Sequence, residues 1–177
     1  IYHASELSIV EYGRNEVRIL GAVRTEHISG HLLSVRLSEK HPRRSDRDMA
    51  RRKQSTEGTK TVAYLLDAQT INIKNLITNA TTSVNHDSRV DWLELNSRAD
   101  LLLFRDRRRR LHLYNVRTQI RGTLLSYCTY VQWVPDSDVV VAQNRSALCV
   151  WYNIHAPDQA RAQNKQYRGC LGRREQE

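Results

Sequence analysis

The sequence predicts an all-β protein assembled from small repeated sheets. Three observations carry that prediction. Apolar residues alternate with polar ones over short stretches, the stretches return at nearly constant spacing, and a short polar side chain stands ahead of each return.

The alternating stretches are taken in chain order. "ELSIVEY" opens the series at Glu6 to Tyr12, and "TINIKNL" follows at Thr70 to Leu76. "VDWLEL" offers Val90 and Trp92, with Glu94 or Leu95 continuing the period; "LHLY" offers Leu111 and Leu113, and "LCVW" offers Leu148 and Val150. A period of two in β-branched or aromatic surroundings is the mark of a strand. No stretch holds a helical period over three turns. "NSRAD", "PDSD" and "NRSA" between the strands supply turn residues.

Spacing then sets the architecture. Ile71 to Leu111 is 40 residues, Leu111 to Leu148 is 37 and Trp92 to Trp133 is 41. Leu7 to Ile71 is 64, and removing the 22 residues from Glu39 to Lys60 leaves 42. Repeats of about 40 to 45 residues match a four-stranded propeller blade. The units run as a strand remnant at Glu6 to Tyr12 and blades across Leu32 to Leu76, Val90 to Val116 and Val131 to Ile154. About three blades fall short of the 4 to 8 that close a ring, and a chain starting at Ile1 agrees with a fragment. The organisation expected is a partial propeller over residues 1–157, a flexible basic insertion at 39–60 and a poorly ordered tail at 158–177.

Asp67, Asp106 and Asn144 precede Lys74, Tyr114 and Trp151 by 7, 8 and 7 residues. Their side chains accept hydrogen bonds from nearby backbone amides and so close a hairpin. On that frame Arg107, Arg108, Arg109 and Arg110 join the second and third strands of one blade and project from a rim.

Charge is concentrated in three places. The net charge is +9, of which 39–60 contributes +4 (8 basic, 4 acidic), 105–110 contributes +4 (5 and 1) and the stretch from Arg161 contributes +3 (5 and 2), leaving −2 for the rest. Such runs serve as solvated turns that discourage stray strand pairing. They also suit an acidic partner: a protein face, an anionic membrane surface or nucleic acid.

Other residues weigh against chemistry. His86, Asp87 and Ser88 have the residue types of a hydrolase relay, but neighbours in an extended strand face opposite ways. No pair among the seven histidines combines metal-ligand spacing with acidic support, and no glycine-rich phosphate loop exists among seven glycines. Neither a catalytic site, a cofactor nor a metal is expected. Cys128, Cys149 and Cys170 lack CxxC spacing and read as reduced thiols, two of them in strands. "NAT" at Asn79 and "NRS" at Asn144 matter only in a secreted chain. Trp92, Trp133 and Trp151 recur inside apolar strands, so with Leu111, Leu113 and Val150 they are read as core. No apolar run reaches the length needed to cross a bilayer, and the start lacks the order of a signal peptide, so the chain is read as intracellular.

"HDSRVDWLELNSRADLLLFRDRRRRLHLYNV" and "YVQWVPDSDVVVAQNRSALCVWYNIHAP" closely resemble the WD-repeat propeller region of the 172-kilodalton subunits of intraflagellar transport complex B. The resemblance spans roughly Leu20 to Pro157 without the basic insertion. It implies a WD40-like slice of the second of two propellers, which in the family precede a helical solenoid. It further implies a noncatalytic scaffold in cilium and flagellum assembly, found at axoneme, basal body and cytoplasm and partnered by other complex B subunits. The usual Gly-His and Trp-Asp pairs are replaced by Asn85-His86, Tyr114-Asn115 and Trp151-Tyr152. By the same resemblance, His86 occupies the position that links strands through a buried network with a hydroxyl and an Asp such as Asp106. The competing expectation is a nucleic-acid-binding module using the arginine-rich segments.

Overall fold

The computed structural model describes residues 2–3, 6–12, 14–25, 32–37 and 59–155, and all the regular elements among them are strands. They form four antiparallel sheets. The first holds β1 (Tyr2–His3), β2 (Glu6–Tyr12) and β3 (Val17–Arg24); the second holds β4 (Leu33–Leu37), β5 (Lys60–Leu65), β6 (Thr70–Asn75) and β7 (Thr81–Asn85). The third holds β8 (Val90–Leu95), β9 (Leu101–Asp106), β10 (Leu111–Asn115) and β11 (Arg121–Leu125), and the fourth β12 (Tyr130–Trp133), β13 (Val140–Gln143) and β14 (Leu148–Trp151). Within each sheet the strands follow chain order, and the described residues close no ring.

The sheets stack in sequence order, as the core clusters show. Leu7, Ile9 and Val23 of the first sheet meet Val62, Tyr64 and Leu76 of the second. Gly21 lies close to Leu76, and a Cβ added there would stand 2.8 Å from Leu76 Cδ2. Ala63, Ile71 and Ile73 meet Leu93, Leu102 and Phe104 of the third sheet, and Leu101, Leu103, Leu111 and Leu113 meet Val140, Ala142 and Trp151 of the fourth. The third sheet is therefore covered on both faces. Its second strand, "LLLFRD", is almost wholly buried, as a strand sandwiched between two sheets must be.

Polar ties fix the stacking angle. The Ser34 hydroxyl accepts from the Leu95 amide at 3.1 Å, Arg36 Nη2 donates to Glu94 at 2.8 Å, and Trp133 Nε1 donates to the Glu94 carbonyl at 3.2 Å. Trp133 and Trp151 are buried, whereas Trp92 is half-buried and packs against the cluster from its side.

Three expectations change. Residues 90–95 do not keep a simple alternation, because the pairing of β8 with β9 shifts register between Val90 and Trp92. One extra residue reverses the parity beyond it, so Leu93 and Leu95 are buried in place of Trp92 and Glu94. In β14, Cys149 and Trp151 face the core while Leu148 is 48% exposed and Val150 is half-buried, which corrects the core assignment of Val150. A four-residue stretch has the same period either way up, and Trp151 gains more by burial than Val150 does. Of the cysteines, Cys149 lies in a strand but Cys128 lies in the loop before β12, and both are buried.

The sheets also gain strands that apolar patterning does not reveal. The remnant at Glu6 to Tyr12 pairs with β3, and β7 ("TTSVN") and β11 ("RGTLL") are outer strands with little apolar content. The basic insertion falls inside a hairpin: Leu37 of β4 pairs with Lys60 of β5, so the chain leaves and returns at neighbouring positions. Lys60 itself belongs to β5 and stands 3.7 Å from Glu11. The remaining insertion residues, 39–58, lie outside the described residues apart from this anchorage, as do Cys170 and the tail at 158–177. Left-handed backbone occurs at Asn79, Ala99, Arg109, Gln119, Tyr127 and Asp136, with φ between 55° and 59°.

Candidate functional site

The β9–β10 hairpin organises the site. Asp106 ends β9, and its Oδ1 accepts the Arg110 amide at 2.9 Å while its carbonyl accepts the Arg109 amide at 2.8 Å. The same device recurs: Asp67 Oδ1 accepts the Gln69 and Thr70 amides at 2.8 Å, and Asn144 Oδ1 accepts the Ser146 and Ala147 amides at 3.0 and 2.8 Å. All three polar residues thus sit at turns, and Arg107 to Arg110 connect the second and third strands of their sheet.

Behind the turn lies a buried polar cluster. The Asp106 side chain is fully enclosed; its Oδ2 meets His86 Nε2 at 3.0 Å, Arg110 Nε at 2.7 Å and His112 Nε2 at 3.4 Å. Arg121 Nη1 donates to His86 Nδ1 at 3.1 Å, which makes that nitrogen an acceptor and leaves Nε2 to carry the proton to Asp106. Thr123 Oγ1 is 3.1 Å from His112 Nδ1. The His86 and His112 rings are 4.6 Å apart, and Phe104 stacks on His112 at 4.9 Å. His86 therefore stands in a buried network with Asp106, and Thr123 supplies a hydroxyl through His112.

Electrostatics follow from these contacts. Burial pushes the Asp106 carboxyl up, but donation from His86, the Arg110 amide, the Arg110 guanidinium and His112 outweighs it and holds the group at about 2. Burial pushes His112 down, against its bond to Asp106. The hydrogen bond from Arg110 lowers Asp87, which it meets at 2.8 Å.

His86, Asp106 and His112 present ligand atoms within 4.8 Å of one another, so the fold unites two histidines that the sequence leaves 26 residues apart. Two imidazoles and a carboxylate have the composition of a transition-metal site. Here Arg110 already places positive charge 2.7 Å from the carboxylate, and each imidazole has both nitrogens engaged. The arrangement fits a structural network.

The four arginines of the turn divide. Arg110 is half-buried and bridges Asp106 and Asp87, whereas Arg107, Arg108 and Arg109 are exposed, with Arg108 only 3.7 Å from Asp87. Adjacent loops are stitched to the turn. The Arg107 amide donates to the Arg89 carbonyl at 2.7 Å, the Cys128 amide to the Arg109 carbonyl at 2.8 Å, and the Thr129 amide to the Gln143 carbonyl at 2.8 Å. Exposed Arg145 stacks 5.3 Å over the Tyr127 ring. Arg89, Arg145 and Tyr127 were not singled out in the sequence because nothing local to each marks it; only the loop contacts bring them together. At the opposite end of the sheets Arg98 pairs with Asp138, which also accepts from Asn96 at 2.9 Å and meets His155 at 3.1 Å.

A groove of about 520 Å³ runs between β10, β11 and β14, lined by Leu113, Ile120, Gly122, Leu124, Trp151 and Ile154 among others. It lies beside β14, which among the described residues has one neighbour where the corresponding strands β6 and β10 have two.

No family model matches the chain. The intraflagellar transport protein 172 homologs of Danio rerio and Homo sapiens are each 50% identical to it over 159 residues, 89% of this chain. Intraflagellar transport protein 172 of Chlamydomonas reinhardtii is 48% identical over 161 residues. The chain spans about 8% of the length of these relatives. Identity near one half along 89% of the chain, with relatives in animals and an alga alike, makes this chain homologous to a segment of intraflagellar transport protein 172.

Proposed function

We propose that the chain serves as part of a noncatalytic scaffold subunit of intraflagellar transport, acting in assembly of the cilium or flagellum and residing there, at the basal body and in the cytoplasm. The observation that carries this reading is the 50% identity over 159 residues to proteins named for that transport. Stacked antiparallel sheets of three and four strands, among the described residues, support the finer reading of a part of a WD-type propeller. Scaffolding suits a surface of turns and edges better than a reaction centre, since the buried histidines and Asp106 are engaged with one another. Partners are other complex B subunits, met by surface complementarity with arginine and aromatic anchors; Arg107, Arg108 and Arg109 are the rim residues, and Arg110 acts on the fold. Tagged chain expressed in ciliated cells should co-purify with those subunits and concentrate in cilia. Recovery of RNA without transport subunits would replace this reading with a nucleic-acid one.

A further inference from the structure

The end of the sheets that carries the arginine turn is chemically one-sided. Arg89, Arg107, Arg109 and Arg145 are exposed and, among the described residues, have no carboxylate within ion-pair distance, while Arg105 and Arg110 neutralise Asp91, Asp87 and Asp106. The acids of the third sheet at this end are thus already occupied, and Asp67, at the corresponding turn of the second sheet, accepts the Gln69 and Thr70 amides. The opposite end carries Asp100 and Asp138 around Arg98. Solvation alone would not require this asymmetry.

Position is as informative as charge. Backbone bonds from Arg107 to Arg89, Cys128 to Arg109 and Thr129 to Gln143 tie the loops of neighbouring sheets into one surface, so the guanidiniums hang from fixed points. Stacked sheets lie about 10 Å apart, which is about three residues of polyproline II chain at roughly 3.1 Å each, a conformation that returns side chains to one face every third residue. Every unpaired cation in the set is arginine, whose planar fork grips a carboxylate through two parallel hydrogen bonds. Exposed Tyr127, already stacked on Arg145, adds the aromatic surface that anchors peptide contacts. Attraction to a lipid surface depends on the number of cations near it and not on their spacing.

We propose that this end docks an acidic segment of a partner protein in polyproline II conformation, with carboxylates at every third residue engaging arginines of neighbouring sheets: Arg89, Arg107 and Arg109 on one side and Arg145 with Tyr127 on the other. The proposal rests on the scaffold reading and names the chemistry of one of its contacts. It is tested with the full chain and a labelled peptide carrying glutamate at every third position, read by fluorescence anisotropy. A peptide of the same composition with its glutamates contiguous is the control.

The spaced peptide should bind, with affinity at least about tenfold above the contiguous one. The double change Arg107→Glu and Arg109→Glu should reduce binding at least about tenfold, and Arg145→Gln should reduce it less, with circular dichroism unchanged. Arg117→Glu, in the turn at the other end of β10, should leave affinity unaltered. Absence of binding, equal affinity for the two peptides, or equal loss on Arg117→Glu would overturn the proposal. So would tighter binding of phosphatidylserine vesicles or single-stranded RNA at the same ionic strength. Should the double variant unfold, Arg145→Gln decides alone. A chain that ignores the peptide yet co-purifies with transport subunits loses this inference and keeps the scaffold.

Discussion

Asp67 and Asp106 occupy the same place in two adjoining sheets, at the turn between the second and third strands, and each closes that turn through its own side chain. Asp67 is exposed, with Gln69 and Thr70 amides on its Oδ1, whereas Asp106 is enclosed and adds two histidines and an arginine. The turn geometry is therefore shared, and among the described contacts the histidine pair gathers on Asp106. What differs is the neighbourhood: His86 arrives from the loop after β7, and β10 and β11 supply His112, Thr123 and Arg121.

Truncation should separate the two aspartates most sharply. Asp106→Ala leaves Arg110 and two buried imidazoles without their acceptor, and loss of one partner of a buried charged pair costs about 3–5 kcal/mol. Trp133→Ala, which empties the seam between the third and fourth sheets, should cost a similar 3–5 kcal/mol or so. Urea unfolding measures both. An Asp106 variant as stable as wild type would reduce the network to an ordinary turn.

Acid should act in two stages, both on the Asp106 side of the comparison. His112 is held neutral by burial, its affinity for protons lowered on folding, so its contribution is complete above about pH 6.5 and declines as pH falls below that toward its folded value. Asp106 is lowered from 3.8 to about 2, so its contribution is present above 3.8 and is lost as pH falls through about 2. That second stage amounts to about 2 kcal/mol. Melting followed from pH 7 to 2 reads both stages, and His112→Gln should flatten the first while the donors left on Asp106 from His86 and Arg110 preserve most of the second.

Asp67→Ala removes a cap in water and should cost about 1 kcal/mol, with Asn144→Ala close to it. Reversing the charge of Arg109 should change stability by no more than about 0.5 kcal/mol, since its side chain is exposed, while Arg110→Ala should cost clearly more because it bridges Asp106 and Asp87. Equal losses from Arg109 and Arg110 would erase the division within the turn.

How much was legible in the sequence varies residue by residue. The turn aspartates were readable because a short polar side chain followed at fixed distance by apolar alternation has a local cause. His112 was not. Between Leu111 and Leu113 it occupies what a one-sided sheet would give to solvent, and only coverage of the third sheet on both faces buries it. The outer strands β7 and β11 escaped notice for the converse reason, since one face of each meets water and their apolar content is low. Among the arginines, sequence grouped four that the fold separates and omitted Arg89 and Arg145, which the fold adds.

The sequence by itself determined a chain of short antiparallel strands, their repeat of about 40 residues and the position of the turns, because these depend on alternation, spacing and side chains acting on their own backbone. Tertiary structure decided which face of each strand is inward and which polar groups meet. Parity in a short strand has two equal readings until a neighbouring sheet covers one face, and a bulge of one residue at Val90 to Trp92 is enough to exchange them. Contact between His86 and His112, or between Tyr127 and Arg145, exists only once strands and loops distant in sequence are brought together.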